Sequence, residues 1–185
     1  VAGVNYHVDA ESGARHKTPR RETAAAQKAL ASLLDITMAA ASKLVQQGQL
    51  APDEQSTLYR HNNDLILYEH ETKKARQLTS DKLPKKLVTF SPDSKHLAFV
   101  KKNNLITLPT RGGAEVPITN SGSETFLNGH LDWVYQEELY GRGNFRGFWW
   151  SPDSKKLAFL QLDEGPVAKY TVADHLAYRE KSEAT

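Results

Sequence analysis

Cysteine is absent from the 185 residues, which excludes disulfides and thiol chemistry. Cytoplasm and periplasm both stay open on that ground, with a periplasmic or secreted location favoured over a cytoplasmic one. The seven histidines form no His-Glu-x-x-His pair and show no metal-ligand spacing, so neither a metal nor another cofactor is expected. A Gly-x-Ser-x-Gly nucleophile elbow is missing, and so is a phosphate-cradling glycine motif. The excess of charge is only +2, which does not argue for nucleic acid or a membrane surface. No apolar run approaches the length of a membrane span, and Val1-Ala2-Gly3-Val4-Asn5 has no signal-peptide pattern. What remains, 39% hydrophobic and 25% charged, is the composition of a soluble globular protein long enough for a sizeable core.

What is present begins with a repeat. Leu87-Val88-Thr89-Phe90-Ser91-Pro92-Asp93-Ser94 and the run from Lys95 to Val100 are echoed by Gly147-Phe148-Trp149-Trp150-Ser151-Pro152-Asp153-Ser154 and the run to Leu160. The offset, 150 − 90 = 60 residues, suits a propeller blade that carries an insertion. Each copy predicts a strand, a turn with proline at its second position, and another strand. The runs Asp64–Glu69 with Ala75–Thr79, and Asn104–Leu108 with Val116–Thr119, predict the outer hairpins of two blades. The fold class expected is mainly β: two to three propeller blades of antiparallel strands, an arc rather than a closed ring. The paired lysines, Lys85-Lys86, Lys101-Lys102 and Lys155-Lys156, read as loop and edge lysines that discourage sheet-to-sheet association.

Residues 19–48 break the pattern. Thr18-Pro19 is a helix start, Gly48 a stop, and Leu30, Leu33, Leu34, Met38, Ala41, Leu44 and Val45 recur at helical spacing. Thr37 interrupts the run, so one long helix or two shorter ones both fit. An insertion lying on the propeller rim is the favoured reading, and a helix that docks a second subunit, as in a homodimer, is the alternative. Residues 1–18 then read as the end of a preceding blade and residues 49–185 as blades. A start in mid-hairpin without an initiator Met predicts a piece of a larger protein.

The stretch Leu131-Asp132-Trp133-Val134-Tyr135-Gln136-Glu137-Glu138-Leu139-Tyr140 carries the chemistry. On a strand, adjacent glutamates point to opposite faces. On a short helical turn capped by Asp132 they lie about 100° apart and converge. Two like charges held together repel, so a cationic guest such as a free amino terminus relieves the strain.

That decamer, followed by Phe148-Trp149-Trp150-Ser151-Pro152-Asp153-Ser154, resembles the dipeptidyl peptidase IV family of serine exopeptidases. The resemblance implies a propeller segment in which Glu137 and Glu138 bind the α-ammonium of a peptide substrate. Gln136 stands where the family often has a third acid. Arg60, in Leu58-Tyr59-Arg60-His61, is similar to the family's arginine that holds a substrate carbonyl, a task for which a planar fork of donors suits. Asp132, Trp133 and Tyr135 would support the site, and Asp163-Glu164 would cap a loop. The implied reaction is release of N-terminal dipeptides, preferring proline at the second position. Its Ser-Asp-His triad would lie in a C-terminal α/β-hydrolase domain of the same protein, absent from this chain. A non-enzymatic, TolB-like propeller that binds proteins is the alternative, and a helix-mediated structural subunit a third reading.

Overall fold

Strand after strand in this chain is apolar at consecutive positions, and the packing explains why. The computed structural model describes residues 6–8, 15–17 and 23–168. Strands β1 (Tyr6–Val8) and β2 (Arg15–Lys17) form an antiparallel hairpin. Helices α1 (Thr23–Leu34) and α2 (Met38–Gln46) follow. Next come β3 (Gln49–Leu50), β4 (Ser56–His61), β5 (Asp64–Glu69) and β6 (Lys74–Gln77), hydrogen-bonded in the order β3-β4-β5-β6. A second four-stranded sheet holds β7 (Lys86–Phe90), β8 (His96–Lys101), β9 (Asn104–Pro109) and β10 (Val116–Pro117) in the order β7-β8-β9-β10. The third unit consists of β11 (Phe126–Asn128), β12 (Phe148–Trp150), β13 (Leu157–Phe159) and β14 (Gln161–Asp163). Here β11 pairs with β14 and β12 with β13, all antiparallel. The result is two complete blades and part of a third.

Both faces of the inner strands of the complete blades are buried, and alternate residues serve alternate layers. Leu58, Leu65 and Leu67 of the first sheet meet Val88, Phe90, Leu97 and Phe99 of the second. The residues between them, Ala98 and Val100, turn the other way and pack with Leu105 and Phe148 of the third unit. On the free face of the first sheet, Tyr59, Ile66 and Tyr68 are covered by Ala26, Leu30, Ala41, Leu44 and Val45 of the helices.

The helical segment is two helices, bent by 119°. Asp35, with φ +52°, makes the break, and the Oγ1 of Thr37 accepts the Ala40 N–H at 3.2 Å to cap α2. The bend corrects the expected single apolar face: Leu33 and Met38 are rotated outward and are 39% and 51% exposed. The expected start at Thr18-Pro19 lies outside the described residues. Gly48 ends the segment for a steric reason, since a Cβ there would lie 2.5 Å from the Tyr59 ring and 2.6 Å from Thr57. Among the described residues no single helix is long and apolar enough to cross a membrane.

The repeat is more extensive than its Ser-Pro-Asp-Ser signature. In both signature copies the serine hydroxyl (Ser91, Ser151) donates to the Asp two residues on at 2.6 Å and accepts the N–H five residues on. Ala51-Pro52-Asp53-Glu54 forms the same turn, with Glu54 N–H on Ala51 O at 2.9 Å and φ +59° at Glu54, matching φ +61° at Ser94 and +62° at Ser154. The first two turns are therefore 91 − 51 = 40 residues apart. Asp64 and Thr79 recur as Asn104 and Thr119 at the same offset, each threonine hydroxyl accepting a backbone N–H (Leu65, Leu105) at 3.0 Å. Successive turns are also fastened to one another. Asp53 N–H donates to Ser94 Oγ at 3.0 Å, and Asp93 N–H donates to Ser154 Oγ at 2.9 Å.

One paired lysine departs from expectation. Lys85 is buried, its Nζ donating to Asp64 at 3.3 Å, to Asp81 at 2.5 Å and to the carbonyls of Asn63 and Leu83. It fastens the linker between the first two blades rather than protecting an edge.

Candidate functional site

Between β11 and β12 the chain leaves its sheet at Gly129 and rejoins it at Gly147. Leu160 on the opposite strand holds both ends: its N–H donates to Gly147 O at 2.8 Å and its carbonyl accepts the Gly129 N–H at 2.9 Å. The stem is pinched further by Gly147 N–H on Gly129 O at 3.0 Å and Leu131 N–H on Phe145 O at 2.9 Å. Glycine is favoured at both positions. Gly129 has φ +70°, and a Cβ on Gly147 would lie 3.1 Å from Leu131 and 3.3 Å from the Gly129 backbone. Residues 129–147 thus stand where a regular strand has one residue. Without the 18 extra residues the offset of 60 becomes 42, close to the 40 of the preceding blades.

The excursion carries the glutamates. Asp132 caps it as expected: its Oδ1 accepts the Tyr135 N–H at 2.7 Å and its carbonyl accepts the Gln136 N–H at 3.2 Å. The turn that follows is a π-helix, Tyr135–Leu139, closed by Tyr140 N–H on Tyr135 O at 3.0 Å. Such single π-turns are rare and concentrate at functional sites. Their wider winding rotates successive side chains by less than an α-turn does, which brings Glu137 and Glu138 closer together in direction. Tyr140 leaves the turn with its ring 6.2 Å from Trp149 of β12, tying the far end to the sheet.

The two carboxylates are not equivalent. Glu137 is partly buried, and its Oε1 lies 3.2 Å from Nε of Arg142. Glu138 is exposed and has no ion pair among the described residues. The repulsion expected between the two is therefore already relieved on one side. Tyr135 is half-buried, whereas Trp133 is 64% exposed and lines a shallow cleft of about 370 Å³ with Asp132, Val134, Glu124 and Glu164. Asp163 behaves as a loop cap, its Oδ1 accepting the Gly165 N–H at 2.9 Å.

Two residues have structural roles that are not apparent from the sequence. Gln136 is buried, and its Oε1 accepts the Gly143 N–H at 2.6 Å, which folds the Gly141-Arg142-Gly143 turn back over the π-helix. Arg142 is the second. Its sequence signal was the flanking glycines, with φ +84° and +87°. Among the described residues no group of histidines and carboxylates is arranged to hold a metal ion.

At the stem, His130 stacks on Phe145 at 5.5 Å and faces Arg146 across an isolated bridge. Burial, helped by the charge of Lys86, pushes the imidazole below its ordinary pKa.

Arg60 stands apart from this excursion, near the end of β4 in the first sheet. It occupies the repeat position that Val100, a core residue, fills in the second blade. Its guanidinium instead reaches across to the Val88 carbonyl at 3.4 Å, and burial pulls its pKa below the usual arginine value. No described contact joins it to Glu137 or Glu138.

Comparison with known proteins shows what the chain is similar to. The family described as "Dipeptidyl peptidase IV (DPP IV) N-terminal region" matches residues 84–184. Dipeptidyl aminopeptidase B of Saccharomyces cerevisiae is 36% identical over 87 residues, 46% of this chain and 10% of the yeast protein. A probable dipeptidyl-aminopeptidase B of Penicillium rubens is 41% identical over 86 residues, 46% of this chain and 9% of that protein. Among solved structures, dipeptidyl peptidase 4 of Porphyromonas gingivalis superposes with a TM-score of 0.58 at 28% identity, over 66% of this chain and 19% of that one. A putative dipeptidyl aminopeptidase IV of Bacteroides ovatus shares the fold, with a TM-score of 0.54 at 21% identity over 89% of this chain. The chain spans about a tenth of the curated relatives' length and about a fifth of the solved chains'.

Proposed function

This chain belongs to the dipeptidyl peptidase IV N-terminal region family, and from that premise we propose that it is the substrate-binding and gating propeller portion of a serine-type dipeptidyl peptidase. In this reading Glu137 and Glu138 receive the α-ammonium of a peptide and Arg60 the neighbouring backbone carbonyl. The nucleophile would come from an α/β-hydrolase domain of the same protein. Fixing the amino terminus sets how far along the chain the nucleophile reaches, so the glutamates supply position rather than bond breaking. Two residues in from the ammonium lies the bond to be cut, with proline preferred before it.

One observation carries the reading: two adjacent carboxylates on a π-turn that is capped by Asp132 and mounted on a stem closed by Leu160. A solvated acidic loop needs none of these restraints, whereas a clamp must be held in place. The test is hydrolysis of Ala-Pro-p-nitroanilide by the full-length protein beside its N-acetylated counterpart. Rapid cleavage of the free-amine substrate alone is the expected result. Equal cleavage of both would leave the glutamates idle, and cleavage of neither would return the propeller to a protein-binding platform.

A further inference from the structure

We propose that Arg142 makes the site discriminate against a basic side chain on the first residue of the substrate and in favour of an acidic one. The inference rests on the reading of Glu137 and Glu138 as the ammonium clamp. Arg142 Nε lies 3.2 Å from Glu137 Oε1, and its side chain is 84% exposed. The contact is made through Nε, and with the side chain 84% exposed the guanidinium is accessible to a ligand. The turn that carries it is open as well: a Cβ on Gly141 or Gly143 would meet nothing within 4 Å. Yet the turn is not loose, because buried Gln136 holds the Gly143 N–H at 2.6 Å.

The charges then add up in a specific way. Glu137, Glu138 and Arg142 together carry a single negative charge, which one α-ammonium neutralises. An ammonium in hydrogen-bond contact with the same Glu137 oxygen, at about 2.8 Å, lies within about 6 Å of the Arg142 guanidinium. The first residue's side chain branches from the atom next to that ammonium. A lysine there brings a second cation towards Arg142, while a glutamate brings a partner for the guanidinium nitrogens. Because Arg142 is solvated, the effect is that of an exposed ion pair, about two- to fivefold in rate for each substrate relative to alanine. Gln136 acts as a positioning residue in this arrangement.

The experiment compares kcat/KM of the full-length protein for Glu-Pro-, Ala-Pro- and Lys-Pro-p-nitroanilide, before and after Arg142→Gln, with N-acetyl-Ala-Pro-p-nitroanilide as control. The wild type is expected to prefer Glu over Ala over Lys, and Arg142→Gln to flatten the series by about two- to fivefold at each end. Gln136→Leu should flatten it in the same sense, and added salt should narrow it in the wild type. An unchanged series in Arg142→Gln, with the free-amine requirement intact, would overturn this assignment alone. Loss of the free-amine requirement, or no cleavage of any substrate, would overturn the clamp beneath it.

Discussion

Glu137 and Glu138 are neighbours in sequence with different surroundings, one paired with Arg142 and the other open to solvent. Under the proposed clamp, truncating either to Ala removes a charge-assisted contact to an ammonium, worth about 1.5–3 kcal/mol. The expected loss is about 10- to 150-fold in kcat/KM for free-amine substrates, with the folded state unaffected in a thermal melt. Wild-type rates in both variants would remove the clamp from the account. His130 gives a pH-dependent prediction. Its folded pKa is depressed below 6.5, so the stability it contributes is present above that value and is lost as pH falls through the folded pKa. Thermal melts between pH 7 and pH 5 should show a decline that His130→Phe lessens; an identical slope in both proteins would contradict it. At this scale the Asp132 cap was legible because its spacing to Tyr135 encodes a capped turn, whereas the role proposed for the glutamates came from the family resemblance. Gln136 and Arg142 were not legible, because their roles depend on a turn folding back over the helix, which no local pattern announces.

The excursion from Gly129 to Gly147 is the element on which the site depends. The start of its π-turn is capped by Asp132, so Asp132→Ala should cost about 1 kcal/mol locally. Faster hydrogen exchange at Tyr135 and Gln136 should follow, and Asp132→Asn should restore most of the protection. A second element prediction concerns Lys85. Lys85→Ala leaves Asp64 buried with its charge uncompensated, a loss of about 3–5 kcal/mol that chemical denaturation would read; a change under 1 kcal/mol would show the pair to be incidental. Desolvation pushes the neighbouring Asp81 carboxyl up, but hydrogen bonds from Lys101, Lys85 and the Leu83 N–H outweigh it and hold the pKa far below the usual range. Its contribution is therefore complete above about pH 4 and fades only in strong acid, reduced by its exposure to solvent. The helical element was readable as to type, its periodic leucines falling on α1 and α2. Its break at Asp35 was hinted at by Thr37, but the outward turn of Leu33 and Met38 follows from the bend angle, which periodicity does not contain.

Across the whole molecule, the arc of blades was visible in one repeated turn, and the full 40-residue period was hidden by two substitutions. Ala51 and Glu54 replace the serines of the signature, so the first copy keeps its backbone bonds while losing its letters. The insertion in the third blade then stretched the visible offset to 60. Arg60 gains meaning only once the repeat is in register, because the equivalent position in the next blade is the buried Val100. The turn-to-turn bonds from Asp53 to Ser94 and from Asp93 to Ser154 were equally out of reach, since they join residues 41 and 61 apart. In the proposed function the blades hold a carboxylate pair over a peptide's amino terminus. A crystal structure of the full-length protein with an uncleaved Ala-Pro peptide mimic tests it most directly. The account predicts the α-nitrogen within about 3 Å of both Glu137 and Glu138 carboxylates. An ammonium bound elsewhere, with both glutamates facing only solvent, would contradict it.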